Sequence, residues 1–336
     1  MKTPQKPLNS GFGAETTAEE IASGIDLRGK VCVITGGHSG IGLETTRVLA
    51  KTGALVCVGA RDMTKARNNL ANMNNVEVAH LDLADPESVD RFAERVRSSH
   101  NVIHVLINNA GIMRPPTLMR NSRGHELQFA VNHLGHFQLN ARLWSAVKNA
   151  QGARVVTLSS IGHRYSGVDL DDPNYLSRPY DKAAAYGQSK TANSLFNVEL
   201  DRRGQGHGVR AFAVHPGGIL TDLVRYLTDD ELKAWGIFRD RGVLKAPSSG
   251  YKNLAQGAAT TMWCAVSAQL DGKGGVYCED CDIAELVPND SPALSGVRHW
   301  AVDQPTAKAL WDLSEQLTGL KWLDAAPTAA PDRPGM

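Results

Sequence analysis

Cysteine is scarce: the chain of 336 residues holds five, at positions 32, 57, 264, 278 and 281. So few, in odd number, make a disulfide framework an unlikely design and fit a reducing compartment. Cys32 and Cys57 also fall inside apolar runs, VCVIT and LVCVGA, where a buried thiol is expected. An excess of either charge is lacking too. The formal net charge is +1, which leaves no overall field to draw nucleic acid or an anionic membrane. No apolar run approaches the roughly 20 residues needed to cross a bilayer. The opening MKTPQKPLNSGFG has no hydrophobic segment of the secretory kind. These absences lead to the expectation of a soluble, cytoplasmic protein with a small-molecule ligand, no nucleic-acid partner and no membrane span.

What is present is a core: 42% of residues are apolar and 21% charged. Short β-branched runs at 31–35, 54–60, 76–80, 102–108, 153–159, 209–215 and 274–278 alternate with longer segments of helical periodicity. Near-continuous apolar strands between helices predict a mainly parallel sheet covered on both faces. Right-handed crossovers make this a doubly wound, seven-stranded α/β fold. Asp85-Pro86-Glu87 reads as a helix start, with an acceptor at the cap and proline in the first turn. No internal linker divides the chain, so one domain is expected over 29–320, after a polar extension at 1–28. The Pro/Ala-rich 321–336 is expected to be disordered.

The first strand runs into TGGHSGIG, residues 35–42, and then into a helix. Gly36, Gly40 and Gly42 permit a tight turn and a close approach of backbone to a pyrophosphate. The helix opening at Ile41 directs its N–H groups and positive end at the same anion. His38 and Ser39 lie within the loop. After the second strand, Ala60 stands where dinucleotide sites that favour NAD carry an acid, and Arg61 follows. An arginine without a competing carboxylate there favours the 2′-phosphate of NADP(H), with NAD(H) the alternative; the plainer reading is an arginine on a solvated loop.

The order TGGHSGIG, NNAG (108–111), Asn132, VVTLSS, YGQSK (186–190) and HPGGILT (215–221) resembles that of short-chain dehydrogenases/reductases over residues of about 29–280. The chain looks most similar to the retinol dehydrogenase and WW-domain oxidoreductase-like group, through its AEEIASGIDL lead-in, ARD after the second strand and SSIGH at 159–163. The resemblance implies a Rossmann fold and a carbonyl reductase or alcohol dehydrogenase. It assigns Tyr186 as general acid/base, Lys190 as its partner, Ser160 as hydrogen-bond donor to the carbonyl oxygen, and Asn132 as organiser of a water through which Lys190 relays protons. A free phenol titrates near 10. The Lys190 ammonium one turn away is expected to favour phenolate and to hold the nicotinamide ribose. The same resemblance places Asp82 and Leu83 at the adenine, Asn109, Ala110 and Gly111 along the cofactor, and Pro216, Gly217, Ile219 and Thr221 at the nicotinamide amide. It implies a homodimer or homotetramer. Rival readings are a non-catalytic dinucleotide-binding scaffold, and a sugar-nucleotide epimerase or dehydratase.

Two stretches depart from that pattern. Ser160 and Tyr186 are 26 positions apart, a longer gap than is usual in the family, and the extra loop at about 163–183 is expected near the pocket mouth. A second insertion, at about 222–247, carries Leu223, Tyr226, Leu227, Trp235, Ile237 and Phe238; these either line an apolar pocket under a lid or pack a helix. The missing N-terminal anchor counts against a retinoid substrate. Cys278 and Cys281 form a single C-x-x-C, too little for a four-ligand zinc site, and His133 and His136 read as packing or surface residues. No metal is expected.

Overall fold

The computed structural model describes residues 2–240, 242–247 and 250–322. Its main sheet is built from β1 (Val31–Thr35), β2 (Leu55–Ala60), β3 (Val76–His80), β4 (Val105–Asn108), β5 (Arg154–Leu158), β6 (Arg210–His215), β7 (Val276–Glu279) and β8 (Asp282–Ile283). Strand order is β8-β7-β6-β5-β4-β1-β2-β3. All pairs are parallel except the last, where β8 folds back on β7. The sheet thus has eight strands rather than seven. The extra one is only two residues long, after a turn in which Asp280 and Cys281 adopt positive φ, and so short a piece leaves no periodic signal.

Strand residues alternate between two cores. Cys32, Ile34, Val56, Val58, Val156 and Leu158 pack on one face, against helices α1 (Gly40–Lys51) and α6 (Leu254–Val266). Val33, Cys57, Leu106 and Val155 pack on the other, against α3 (Pro86–Ser99), α4 (Gly135–Lys148) and α5 (Lys182–Gly204). Burial on both faces explains why these strands read as unbroken apolar runs. Between β2 and β3 lies α2 (Met63–Leu70), capped by Asp62. Asp85 accepts from Glu87 N at 3.0 Å and so caps α3 behind Pro86. The C-terminal α7 (Gln304–Thr318) lies along α5, where Trp311 stacks on Trp322 at 4.5 Å. Trp322 is buried, although composition grouped it with the tail; residues 323–336 of that tail lie outside the described residues.

The N-terminal stretch seals the β7/β8 edge. The Gln5 amide donates to the carbonyls of Tyr277 (2.8 Å) and Ala284 (2.7 Å) and accepts from Tyr277 N, while Asp282 accepts from Leu8 N and Ser10 N. A polar segment here satisfies strand-edge groups that would otherwise invite another chain.

The switch in strand order falls between β1 and β4, and the segments leaving the C-terminal ends of the strands open a cleft there.

Candidate active site

The cleft has a volume of about 430 Å³. Its upper wall is the glycine loop, Gly36 to Gly42 without Gly37, which enters α1 at Gly40. Ser39, at the cap position, makes no side-chain cap bond, so the first N–H groups of α1 remain directed at the cleft. A Cβ at Gly42 would come 2.4 Å from the Gly36 carbonyl oxygen, so the turn is too tight for any other residue. His38 Nδ1 is buried without a partner among the described residues. Unspent donors, an orphaned ring nitrogen and a cradle with no room for a side chain fit a dinucleotide.

Asn109 braces this loop, donating its Nδ2 to Thr35 O at 2.8 Å and its backbone N–H to Thr35 Oγ1 at 2.9 Å. Thr35 Oγ1 is in turn 2.8 Å from His136 Nε2. Burial lowers His136 to about 4 and His133 to about 3; His133 bonds Ser314 Oγ. Both are neutral packing residues, and neither is on the surface. The five cysteines are buried free thiols.

Ala60 ends β2 and Arg61 lines the cleft. Asp62 is turned to its helix, accepting from Lys65 N at 2.9 Å. Lys65 also lines this end and pairs with Asp222 at 2.5 Å. Neither was legible in the sequence, because 157 positions separate them. Asp82, Leu83, Ala110, Gly111, Pro216, Gly217, Ile219 and Thr221 also line the cleft.

At the inner end stand Ser160, Tyr186 and Lys190. Asp181 accepts from Ala183 N and Ala184 N and starts α5 so that Tyr186 and Lys190, one turn apart, face β5. Gly162 packs on the phenol: a Cβ there would meet Tyr186 Cε1 at 2.7 Å. Ser160 Oγ accepts from Gly162 N at 3.0 Å, which leaves its O–H to donate. Ser159, which also lines the cleft, donates its hydroxyl to Lys190 O at 2.8 Å. Asn132 lies behind the cleft, in a wide π-helical turn, Ala130–Leu134, that interrupts the expected continuous helix. Such turns recur at functional sites. Its Oδ1 accepts from Ile112 N at 2.9 Å, and its Nδ2 donates to Ile112 O and Ser189 Oγ. The Asn132 side chain thus ties this turn to Ile112 and Ser189.

Burial pushes the Tyr186 phenol up to about 12, against a hydrogen bond from Ser160 and the charge of Arg114. Lys190, expected to favour phenolate, has its Nζ 5.7 Å from the centroid of the Tyr186 ring. Its Nζ donates to Leu158 O at 2.9 Å, and burial lowers it to about 8. Arg114 escaped sequence reasoning; nothing in MRPP marks it.

Of the insertions, 222–247 contributes Asp222, Leu223, Arg225 and Tyr226 to the cleft. Leu227 and Ile237 pack beside Tyr186 in a small apolar cluster, Trp235 rests against it, and Phe238 is exposed. The loop 163–183 supplies none of the lining residues; it lies along α5, where Thr191 Oγ1 donates to Ser166 O and the Gln188 amide to Pro173 O.

Residues 30–232 match the family model described as short chain dehydrogenase. A "Probable oxidoreductase" of Streptomyces lividans is 41% identical over 86% of this chain and 97% of its own length. "Retinol dehydrogenase 12" of Mus musculus is 38% identical over 89% of each chain. A crystal structure of an uncharacterized protein from Mycobacterium Paratuberculosis superposes with a TM-score of 0.69 at 34% identity, covering 90% of this chain and 98% of that one. The chain belongs to the short-chain dehydrogenase family, oxidoreductases that use a nicotinamide dinucleotide. No helix among the described residues is long and apolar enough to cross a membrane.

Proposed function

We propose that this chain is an NADP(H)-dependent carbonyl reductase, or alcohol dehydrogenase in the reverse direction, with Tyr186 as its general acid/base. The observation that carries the reading is the meeting of Ser160, Tyr186 and Lys190 in the same cleft that the glycine loop lines.

The bound cofactor supplies hydride to the carbonyl carbon, or removes it from the alcohol. In reduction the C=O π bond opens as the C–H bond forms, and charge gathers on oxygen. The Ser160 O–H, its oxygen accepting from Gly162 N, can donate to that charge. Tyr186 gives its proton to the same oxygen; a phenol held high by burial is a ready donor while it remains protonated. Lys190, close to neutrality in its proton affinity, can return a proton to the phenol, and its ammonium is suited to the ribose hydroxyls. Asn132 positions this group by fixing Ile112 and Ser189.

The cofactor preference rests on Arg61, His38 and Lys65, which line the cleft after β2, and on Asp62, also a lining residue, being engaged as a helix cap. A guanidinium suits a phosphate dianion better than ribose hydroxyls. Fluorescence titration with NADPH and NADH, followed by a panel of aldehydes, ketones and quinones, tests the reading. NADPH should bind about tenfold or more tightly, and at least one carbonyl class should be reduced. Preference for NADH would overturn the role of Arg61; reduction of no carbonyl would overturn the activity.

A further inference from the structure

Arg114 is a buried cation with no carboxylate partner among the described residues. It is only 8% exposed, and its backbone is left-handed at φ 51°, held by donation of its N–H to Gln128 Oε1 at 2.8 Å. Backbone strain of this kind concentrates at functional positions. Other buried arginines have acceptors. Arg154 pairs with Asp271 at 2.7 Å, and Arg298, whose Nε is also without a partner, donates to the carbonyls of Ser291 and Ala293. Among the described residues no carboxylate pairs with Arg114, and its Nε is buried without a partner. Desolvating an unpaired charge is costly, so the arrangement calls for an acceptor from outside the chain.

The surroundings define that acceptor. The guanidinium lies over the rings of Tyr165, at 5.2 Å from the centroid, and Trp235, at 5.0 Å. Aromatic contacts of this kind hold a guanidinium in place; beyond a hydrogen bond to Tyr165, its planar fork matches a carboxylate in shape. Met113, the preceding residue, packs with Tyr186 in the apolar cluster that Leu223 and Trp235 border. Arg114 is close enough to the Tyr186 phenol to act on its ionisation.

We propose that Arg114 is the anion receptor of the substrate pocket, and that the substrate is an apolar or aromatic oxo acid whose carboxylate pairs with Arg114 while its carbonyl oxygen meets Tyr186. This rests on the carbonyl-reducing reading of the site. The reaction takes one hydride from NADPH and one proton through Tyr186, giving the hydroxy acid and NADP+; the carboxylate is unchanged.

The test compares para-carboxybenzaldehyde with methyl para-formylbenzoate, which presents a similar carbonyl without the charge. The wild type should favour the acid in kcat/KM by about tenfold or more, Arg114→Lys should keep part of that preference, and Arg114→Gln should bring the ratio to one or below. Equal use of the two compounds by the wild type, or an unchanged ratio in Arg114→Gln, overturns the proposal while leaving the carbonyl activity standing. If neither aldehyde is reduced, quenching of tryptophan emission by para-toluate decides the receptor separately. Binding by the wild type that weakens about tenfold in Arg114→Gln supports it; no binding, or equal binding, sinks it.

Discussion

Lys190 carries a measurable cost, and replacing it with methionine should stabilise the protein at neutral pH. The ammonium is 4% exposed, and burial brings it from the ordinary 10.5 to about 8. At about 1.4 kcal/mol per pH unit, keeping it charged costs the fold about 3 kcal/mol at pH 7. Methionine, unbranched and apolar, removes that cost and forfeits one hydrogen bond to Leu158 O, worth about 1 kcal/mol. That carbonyl keeps a partner, since Asn193 Nδ2 donates to it at 2.9 Å. The expected net gain is about 2 kcal/mol at pH 7. The sign then changes with pH. Between about 8 and 10.5 the unfolded chain holds the proton that the folded chain has released, so wild-type stability from this group rises with pH. Near pH 10.5 the cost has nearly vanished, and the variant should be no more stable than wild type. Urea midpoints of the cofactor-free proteins at pH 7 and pH 10 measure this, because comparing the two proteins at each pH cancels the other titrating groups. A variant less stable than wild type at pH 7, or a gain equal at both pH values, would refute the reasoning.

Arg61→Ala should weaken NADPH binding by about tenfold or more and leave NADH nearly untouched, read by cofactor fluorescence; equal loss for both would remove the 2′-phosphate from its account. Gly162→Ala puts a methyl 2.7 Å from Tyr186 Cε1, so the ring must shift, and kcat should fall about tenfold or more while NADPH affinity holds. Unchanged kcat would mean that the phenol tolerates displacement. Gly42→Ala, whose Cβ would face the Gly36 carbonyl oxygen at 2.4 Å, should abolish measurable dinucleotide binding; the thermal melting point with and without NADPH reports it.

The sheet was legible because its strands are buried on both faces and therefore nearly uninterrupted in apolar character, and the glycine loop because a tight turn admits no substitute at Gly42. What escaped has a common cause, which is long separation in sequence. Gln5 meets Tyr277, Lys65 meets Asp222, and Arg114 meets Trp235 only once the chain has closed on itself. β8 is too short to show a period. The π-helical turn at Asn132 follows from tertiary bonds to Ile112 and Ser189, which no local propensity encodes. The four-residue spacing of Tyr186 and Lys190 was plain, but the groups that act on the phenol, Ser160 and Arg114, arrive from other segments.

Tyr186→Phe removes one hydroxyl from the inner end of the cleft and leaves its ring. Steady-state reduction of the preferred carbonyl compound, measured alongside NADPH binding, should show kcat lowered by about a hundredfold or more with the dissociation constant within about twofold of wild type. Turnover that persists at the wild-type rate would contradict proton transfer from Tyr186, and with it the chemistry assigned to the site.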